Sequence, residues 1–196
     1  MLSAIKIERT QEVIADMVAV PIDAEFRRKD PLLPRMLYVD ARETTVAQKQ
    51  KGLSETDPHL AAKDERTESI SYPEAVSIAQ AKGKRLPSAA EYDAIAECIQ
   101  NRRKSSAASK ELTTIDGLFS GVPKWTTTRY RFPGVGQADT VDLLQTMIVL
   151  KGDDEVEPAE GTLRTVDGQL LALPNADLPK VGCRFVKSGA PRFVEQ

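Results

Sequence analysis

Histidine is nearly missing from this 196-residue chain: there is one, His59, beside two cysteines, Cys98 and Cys183, and a single tryptophan, Trp125. One imidazole cannot build a multi-histidine metal centre. Nor does it mark Ser/His/Asp catalysis, because one histidine among many serines has no local signature. Placed after Asp57-Pro58 in a polar stretch, His59 reads as a surface residue. Two cysteines give no disulfide framework of the kind small secreted domains rely on. Both read as small buried hydrophobes, and free thiols are favoured over a bridge between them. An excess of one charge is also lacking: Lys+Arg 27 stand against Asp+Glu 29, for a formal net charge of −2. Nothing in that balance neutralises phosphates, so nucleic acid is not an expected partner. No apolar run approaches the length of a transmembrane helix, and membrane insertion is not expected. The first residues mix Lys6, Glu8, Arg9, Gln11 and Glu12 into apolar positions, which is not a signal-peptide core. The expectation is a cytoplasmic protein, unless the chain is a domain cut from a longer one.

What is present is ordinary globular material, 41% hydrophobic and 29% charged, in a length that suits one domain. Its most informative stretch is Gly83-Lys84-Arg85-Leu86-Pro87-Ser88-Ala89-Ala90-Glu91-Tyr92-Asp93. Gly83 stands where a helix C-terminus wants a residue free to take positive φ. Ser88 and Glu91 form Ser-x-x-Glu, the capping box that opens a helix. The same box occurs upstream as Ser71-Tyr72-Pro73-Glu74, with Pro73 in the first turn where its missing N–H costs little. Two capped helices are predicted, Tyr72 to Lys82 and Ala89 to Asn101, packed together against a small, mostly antiparallel sheet. Arg85 and Glu91 flank the turn and are expected to pair and fix the helix entry. Strands are predicted at Met17 to Val20, Met36 to Val39, Leu143 to Leu150 and Val181 to Val186, with a hairpin over Thr162 to Leu173 turning at Asp167-Gly168. Short helices are predicted at Thr10 to Asp16 and Thr44 to Lys51. Loops are predicted at Arg27 to Arg35, Gln48 to Glu68, Arg102 to Lys110 and Asp153 to Glu160. Strands flanking a central helix pair, with much irregular chain, indicate an α+β class.

The same residues carry a family resemblance. Ile70-Ser71-Tyr72-Pro73-Glu74-Ala75 followed by Gly83 to Asp93 is similar to "Val-Ser-Trp-x-x-Ala … Gly-Lys-Arg-Leu-Pro-Thr-Glu-Ala-Glu-Trp-Glu" of the formylglycine-generating-enzyme, or sulfatase-modifying-factor, domain family. Weaker matches lie around it in the family's order. Met17 to Pro21 resembles the opening strand, Tyr38 to Thr45 the "Glu-Val-Thr" strand and turn, Lys124-Trp125-Thr126 the "Glu-Trp-Thr" segment, and Gly182 to Val186 the closing "Gly-Phe-Arg" strand. The resemblance implies a C-type-lectin-like fold, with a lead-in over 1–16, the domain over 17–187 and a tail over 188–196.

It also implies chemistry that these residues do not supply. Active members use a cysteine pair after Arg-Gly-Gly-Ser-Trp to bind copper and oxidise a substrate cysteine. Here that place reads Val149-Leu150-Lys151-Gly152-Asp153-Asp154-Glu155, with one glycine kept and no cysteine between Gly152 and Pro179. An acidic neighbourhood there would raise a thiol pKa. The related histidine-iron branch needs ligands that His59 alone cannot provide. No cofactor or metal is therefore expected. Asp153 to Glu157 lacks calcium-loop spacing, and Gly134-Val135-Gly136 lacks the rest of a phosphate loop. Of the family's Gly-Asn-Val-Trp-Glu-Trp-Thr segment only Trp125 and Thr126 remain, and Trp125 on its own reads as a core anchor. Behind it, Thr127-Thr128-Arg129-Tyr130-Arg131-Phe132 alternates cations with rings, either as a binding surface or as an amphipathic strand with its arginines solvated. The implied function is a non-catalytic module that binds a protein or peptide, with Trp125, Arg129, Tyr130 and Arg131 as candidate contacts. Ser71, Glu74, Gly83, Arg85, Ser88 and Glu91 form the structural motif. Such domains occur joined to bacterial serine/threonine kinases and signalling proteins, so a part or partner of one is implied by resemblance. A divergent enzyme is the alternative.

Overall fold

The computed structural model describes residues 16–44, 70–104, 115, 122–130, 147–152, 161–176, 178 and 181–189. In chain order the elements are β1 (Met17–Pro21), α1 (Ala24–Lys29), β2 (Met36–Asp40), α2 (Tyr72–Ala81), α3 (Ala89–Lys104), β3 (Lys124–Arg129), β4 (Ile148–Lys151), β5 (Thr162–Arg164), β6 (Leu170–Ala172) and β7 (Val186–Ser188). The strands form two small antiparallel sheets, β1-β2-β7 and β3-β4-β6-β5. The protein is α+β.

Each sheet carries its own core. Val18, Val20, Leu37 and Val39 alternate inward from β1 and β2 and meet Ile95, Cys98 and Ile99 of α3. In the second core Ile148, Leu150, Leu170 and Ala172 meet Ala75, Ile78 and Ala79 of α2, with Trp125 and Phe185 between them. The opposite face of the second sheet buries Met147, Val149 and Leu171, with Ala89 and Tyr130 packed against them. Helix α2 packs in the second core, whereas α3 touches β1 as well as β3 and β4, and the two helices do not form the paired layer expected from sequence. The cause is the stretch after Gly83, which runs extended instead of turning back. Arg85 exchanges both backbone hydrogen bonds with Val186 (3.0 and 2.7 Å), so this linker acts as a further strand beside β7. Gly83 makes the departure possible at φ 62, the left-handed region that a side chain disfavours.

Three boundaries differ from the sequence reading. Chain taken as loop from Arg27 is helical through Lys29: Glu25 sits in the first turn and Arg27, Arg28 and Lys29 in the last, the arrangement that complements the helix dipole. Glu25 and Lys29 also pair at 3.2 Å. Similarly, α3 continues to Lys104, where Arg102, Arg103 and Lys104 occupy its last turn. The closing strand begins at Val186, not Val181. Val181 to Phe185 instead laces the sheets together, as Trp125 N–H donates to Gly182 (3.2 Å) and Asp40 N–H to Phe185 (3.1 Å). The Asp167-Gly168 hairpin is present, with Gly168 at φ 84. The short helices expected near residues 10–16 and 44–51 and the loops over 48–68 and 153–160 lie outside the described residues, apart from Asp16 and Thr44. No helix among the described residues is long and apolar enough to cross a membrane.

Candidate functional site

The Gly83–Asp93 turn is built as its sequence demands. Ser88 Oγ accepts the Glu91 N–H (3.1 Å) and Glu91 accepts the Ser88 N–H (2.8 Å), a reciprocal capping box. At the other box the Glu74 carboxylate takes both the N–H (2.9 Å) and the hydroxyl (2.8 Å) of Ser71. The second turn also carries an arginine clamp. Arg85 grips Glu91 with two parallel bonds of 2.6 Å, the strong bidentate form, and reaches Ser188 at 2.9 Å. The Glu91 side chain is 9% exposed and that of Arg85 40%.

This clamped turn forms one wall of a groove of about 630 Å³. Ser88, Ala89, Ala90, Glu91 and Asp93 line it on one side, and Thr127, Thr128, Lys151 and Gln169 come from the second sheet. Asp30, Leu32 and Leu33 close one end. The walls are pinned together. Ala89 N–H donates to Thr128 Oγ1 (2.9 Å), Thr127 N–H to Pro87 O (2.9 Å), and Lys151 to Asp93 (2.8 Å). A smaller depression of about 140 Å³ shares Lys151 and Gln169 and runs towards Arg164 and Asp167 in the hairpin. There Asp167 accepts from Thr165 and from Gln169 Nε2, and the Thr165 bond holds its carboxyl below the usual range. Leu32 is held outward at the rim, almost fully exposed, while its N–H donates to Asp30 (3.0 Å). Gly152 has a packing role: a Cβ there would meet Val122 O at 3.0 Å and Pro123 Cα at 3.1 Å.

Between the sheets lies a second polar cluster, this one sealed. Lys84 bonds Asp40 at 2.6 Å, Lys124 bonds Glu43 at 2.9 Å and Val122 O at 2.8 Å, and Arg184 donates to Asp40 O. Burial pushes the Asp40 carboxyl up, against the pull of Lys84, and pushes Lys82 down, against the pull of Asp40. Cys183 sits beside them, its thiol pushed up to about 12 by burial. Cys98 lies in the other core, its thiol also raised by burial. Both cysteines are buried and free, in separate cores, and neither is poised as a thiolate.

The residues singled out from sequence divide three ways. Gly83, Arg85, Ser88 and Glu91 come together at the turn, while Ser71 and Glu74 stand at the start of α2. Trp125 is fully buried, donates its indole N–H to Ile70 O (2.6 Å) and meets Tyr72 edge-on at 5.5 Å. Arg129 is exposed at the end of β3, and Tyr130 is half-buried against Met147 and Leu171; both lie outside the walls of the two depressions. Arg131 and residues 153–160 fall outside the described residues. The groove residues Asp30, Leu32, Asp93, Lys151 and Gln169 were not singled out, since only long-range folding brings them together. Thr127 and Thr128 carried a partial signal, as polar positions on a strand headed by a core tryptophan. No family model and no curated protein matches the chain.

Proposed function

We propose that the chain is a degenerate, non-catalytic member of the formylglycine-generating-enzyme-like group, with its C-type-lectin-like arrangement, and that it binds an extended polypeptide segment in the groove beside the Gly83–Asp93 turn. The observation that carries this reading is that the segment of strongest family resemblance forms a wall of that groove. A polypeptide suits the lining. Its side chains offer hydroxyl, amide and charged groups in a row, and the apolar knob Leu32 stands at the rim. The Ser88 hydroxyl oxygen accepts the helix-cap N–H of Glu91. Among the described residues no three His, Cys, Asp or Glu side chains converge as metal ligands would.

Selection of the purified chain against a displayed peptide library tests this. Enriched peptides are expected to lose about tenfold or more in affinity when Ala90→Trp fills the groove or Lys151→Ala removes one of its two cations, the other being Arg85, with Tm nearly unchanged. Arg129→Ala and Tyr130→Ala show whether the contact extends past the end of β3. Failure to enrich any peptide, or binding indifferent to Ala90→Trp, contradicts the assignment.

A further inference from the structure

One charge in the groove is unanswered. The lining holds three carboxylates, Asp30, Glu91 and Asp93, and two cations, Arg85 and Lys151. Arg85 pairs with Glu91 at 2.6 Å and Lys151 with Asp93 at 2.8 Å. Asp30 is left over. Among the described residues no cation reaches it within ion-pair distance, and its Oδ1 accepts the Leu32 N–H at 3.0 Å. Of the cations just before it, Arg27 donates to Ile22 O (3.3 Å), Lys29 pairs with Glu25 (3.2 Å), and Arg28 is exposed. The same place bares apolar surface. Leu32 is 92% exposed, although the chain on either side of it is fixed. Leu33 N–H donates to Asp30 O (3.1 Å), and the Leu33 side chain is buried in the core of the first sheet. The groove is therefore closed at this end by a pinned loop that offers a carboxylate and a leucine two residues apart. At the other end it is not closed: Lys151 and Gln169 line both the groove and the smaller depression that leads on to Arg164.

We infer that the groove takes the free amino terminus of the bound polypeptide, its α-ammonium against Asp30 and a large apolar first side chain against Leu32. This rests on the peptide-binding reading above and adds a direction to it. The guest begins at Asp30 and runs past the Gly83–Asp93 turn towards Lys151. A terminus suits a closed end, because no further chain has to pass through it. An α-ammonium and the first side chain also diverge from a single Cα, which matches a carboxylate and an apolar side chain set close together. A lysine or arginine inside the guest brings a cation but no second side chain at the same point. The loop is held in place before any guest arrives, so little ordering cost falls on binding.

The test uses peptides enriched from a library displayed with free amino termini, then synthesised free, N-acetylated, or extended by Gly-Ser at the amino end. Acetylation or extension is expected to lower affinity about tenfold or more. Asp30→Asn keeps an acceptor for the Leu32 N–H; it is expected to weaken the free peptide about fivefold and leave the acetylated one unchanged, with Tm constant. Leu32→Ser is expected to cost a similar factor for peptides with a large apolar first residue and little for those that begin with alanine. Affinity for the free peptide is expected to fall as pH rises through about 8, where an α-amino group loses its proton. Acetylated and extended peptides that bind as well as free ones, while Ala90→Trp still abolishes binding, overturn this inference alone. So does a loss that begins only above about pH 10, which assigns the cation to a lysine side chain. Failure to enrich any peptide, or indifference to Ala90→Trp, removes the groove reading and this inference with it.

Discussion

Two copies of one motif, Ser-x-x-Glu, open the two main helices, and they do different work. At Ser71 the motif caps its helix: Glu74 bonds the serine three residues before it. At Ser88 the same glutamate position is nearly buried and clamped by Arg85, which also holds Ser188, 103 residues away. Arg85 in turn pairs its backbone with Val186, at the end of the segment that laces both sheets. The first box fixes where a helix begins. The second fixes where that helix begins, where the final strand lies and where one wall of the groove stands. A short motif therefore states a local geometry, and its weight in the fold comes from partners that the motif does not name.

That contrast sets a scale for mutation. Glu91→Ala removes a nearly buried carboxylate from its bidentate pair with a partly exposed guanidinium, as well as a cap, and about 3 kcal/mol of stability is expected to go. Glu74→Ala removes a cap without a bidentate arginine clamp at hand, and is expected to cost about 1 kcal/mol. Equal losses in urea titrations of the two variants would erase the distinction. Arg85→Ala falls between them at about 2 kcal/mol, because its partly exposed head is less desolvated and Glu91 keeps the Ser88 N–H.

The lacing segment beside the second turn offers a pH test. The folded chain holds the Cys183 proton up to about 12, whereas an unfolded thiol releases it near 9.0. A raised folded pKa means that the contribution is complete below 9.0 and is lost as pH climbs from there towards 12, with a slope on the order of 1.4 kcal/mol per pH unit. Burial raises Tyr92 from its ordinary 10.0 and adds to the same alkaline loss. Cys183→Ala is expected to flatten the fall in Tm above pH 9; an identical profile in wild type and variant would show that the segment opens before the thiol titrates.

The smallest effects are expected where the two boxes are alike. Ser71→Ala and Ser88→Ala each remove one cap hydroxyl and should cost about 1 kcal/mol. Arg129→Ala, on an exposed strand end, should change stability by less than about 0.5 kcal/mol. A larger loss at Ser88 than at Ser71 would mean that the hydroxyl, and not only the carboxylate, supports the clamp.

The sequence made the local features readable. Both caps, the Gly83 exit, the Arg85–Glu91 pair, the buried Trp125 and the Asp167-Gly168 hairpin follow from neighbours within a few residues, or from hydrophobic alternation. The features it hid depend on distant partners. Nothing in Val181 to Phe185 distinguishes a strand from a lace, because its apolar residues suit either, and the choice rests on Trp125, Asp40 and Ile70 each donating an N–H to its carbonyls. Helix α1 was masked by Pro31 and Pro34, which end it but do not prevent it. The groove stayed out of sight for the same reason as the lace: Lys151 meets Asp93 across 58 residues, and Ala89 meets Thr128 across 39.

The most direct test of the difference between the two turns is a pair of double-mutant cycles, Arg85→Ala with Glu91→Ala and Ser71→Ala with Glu74→Ala, read by equilibrium denaturation. The Arg85–Glu91 coupling is expected at about 2 kcal/mol, and that of Ser71–Glu74 below about 1 kcal/mol. A coupling near zero between Arg85 and Glu91 would contradict the claim that this turn ties the fold together.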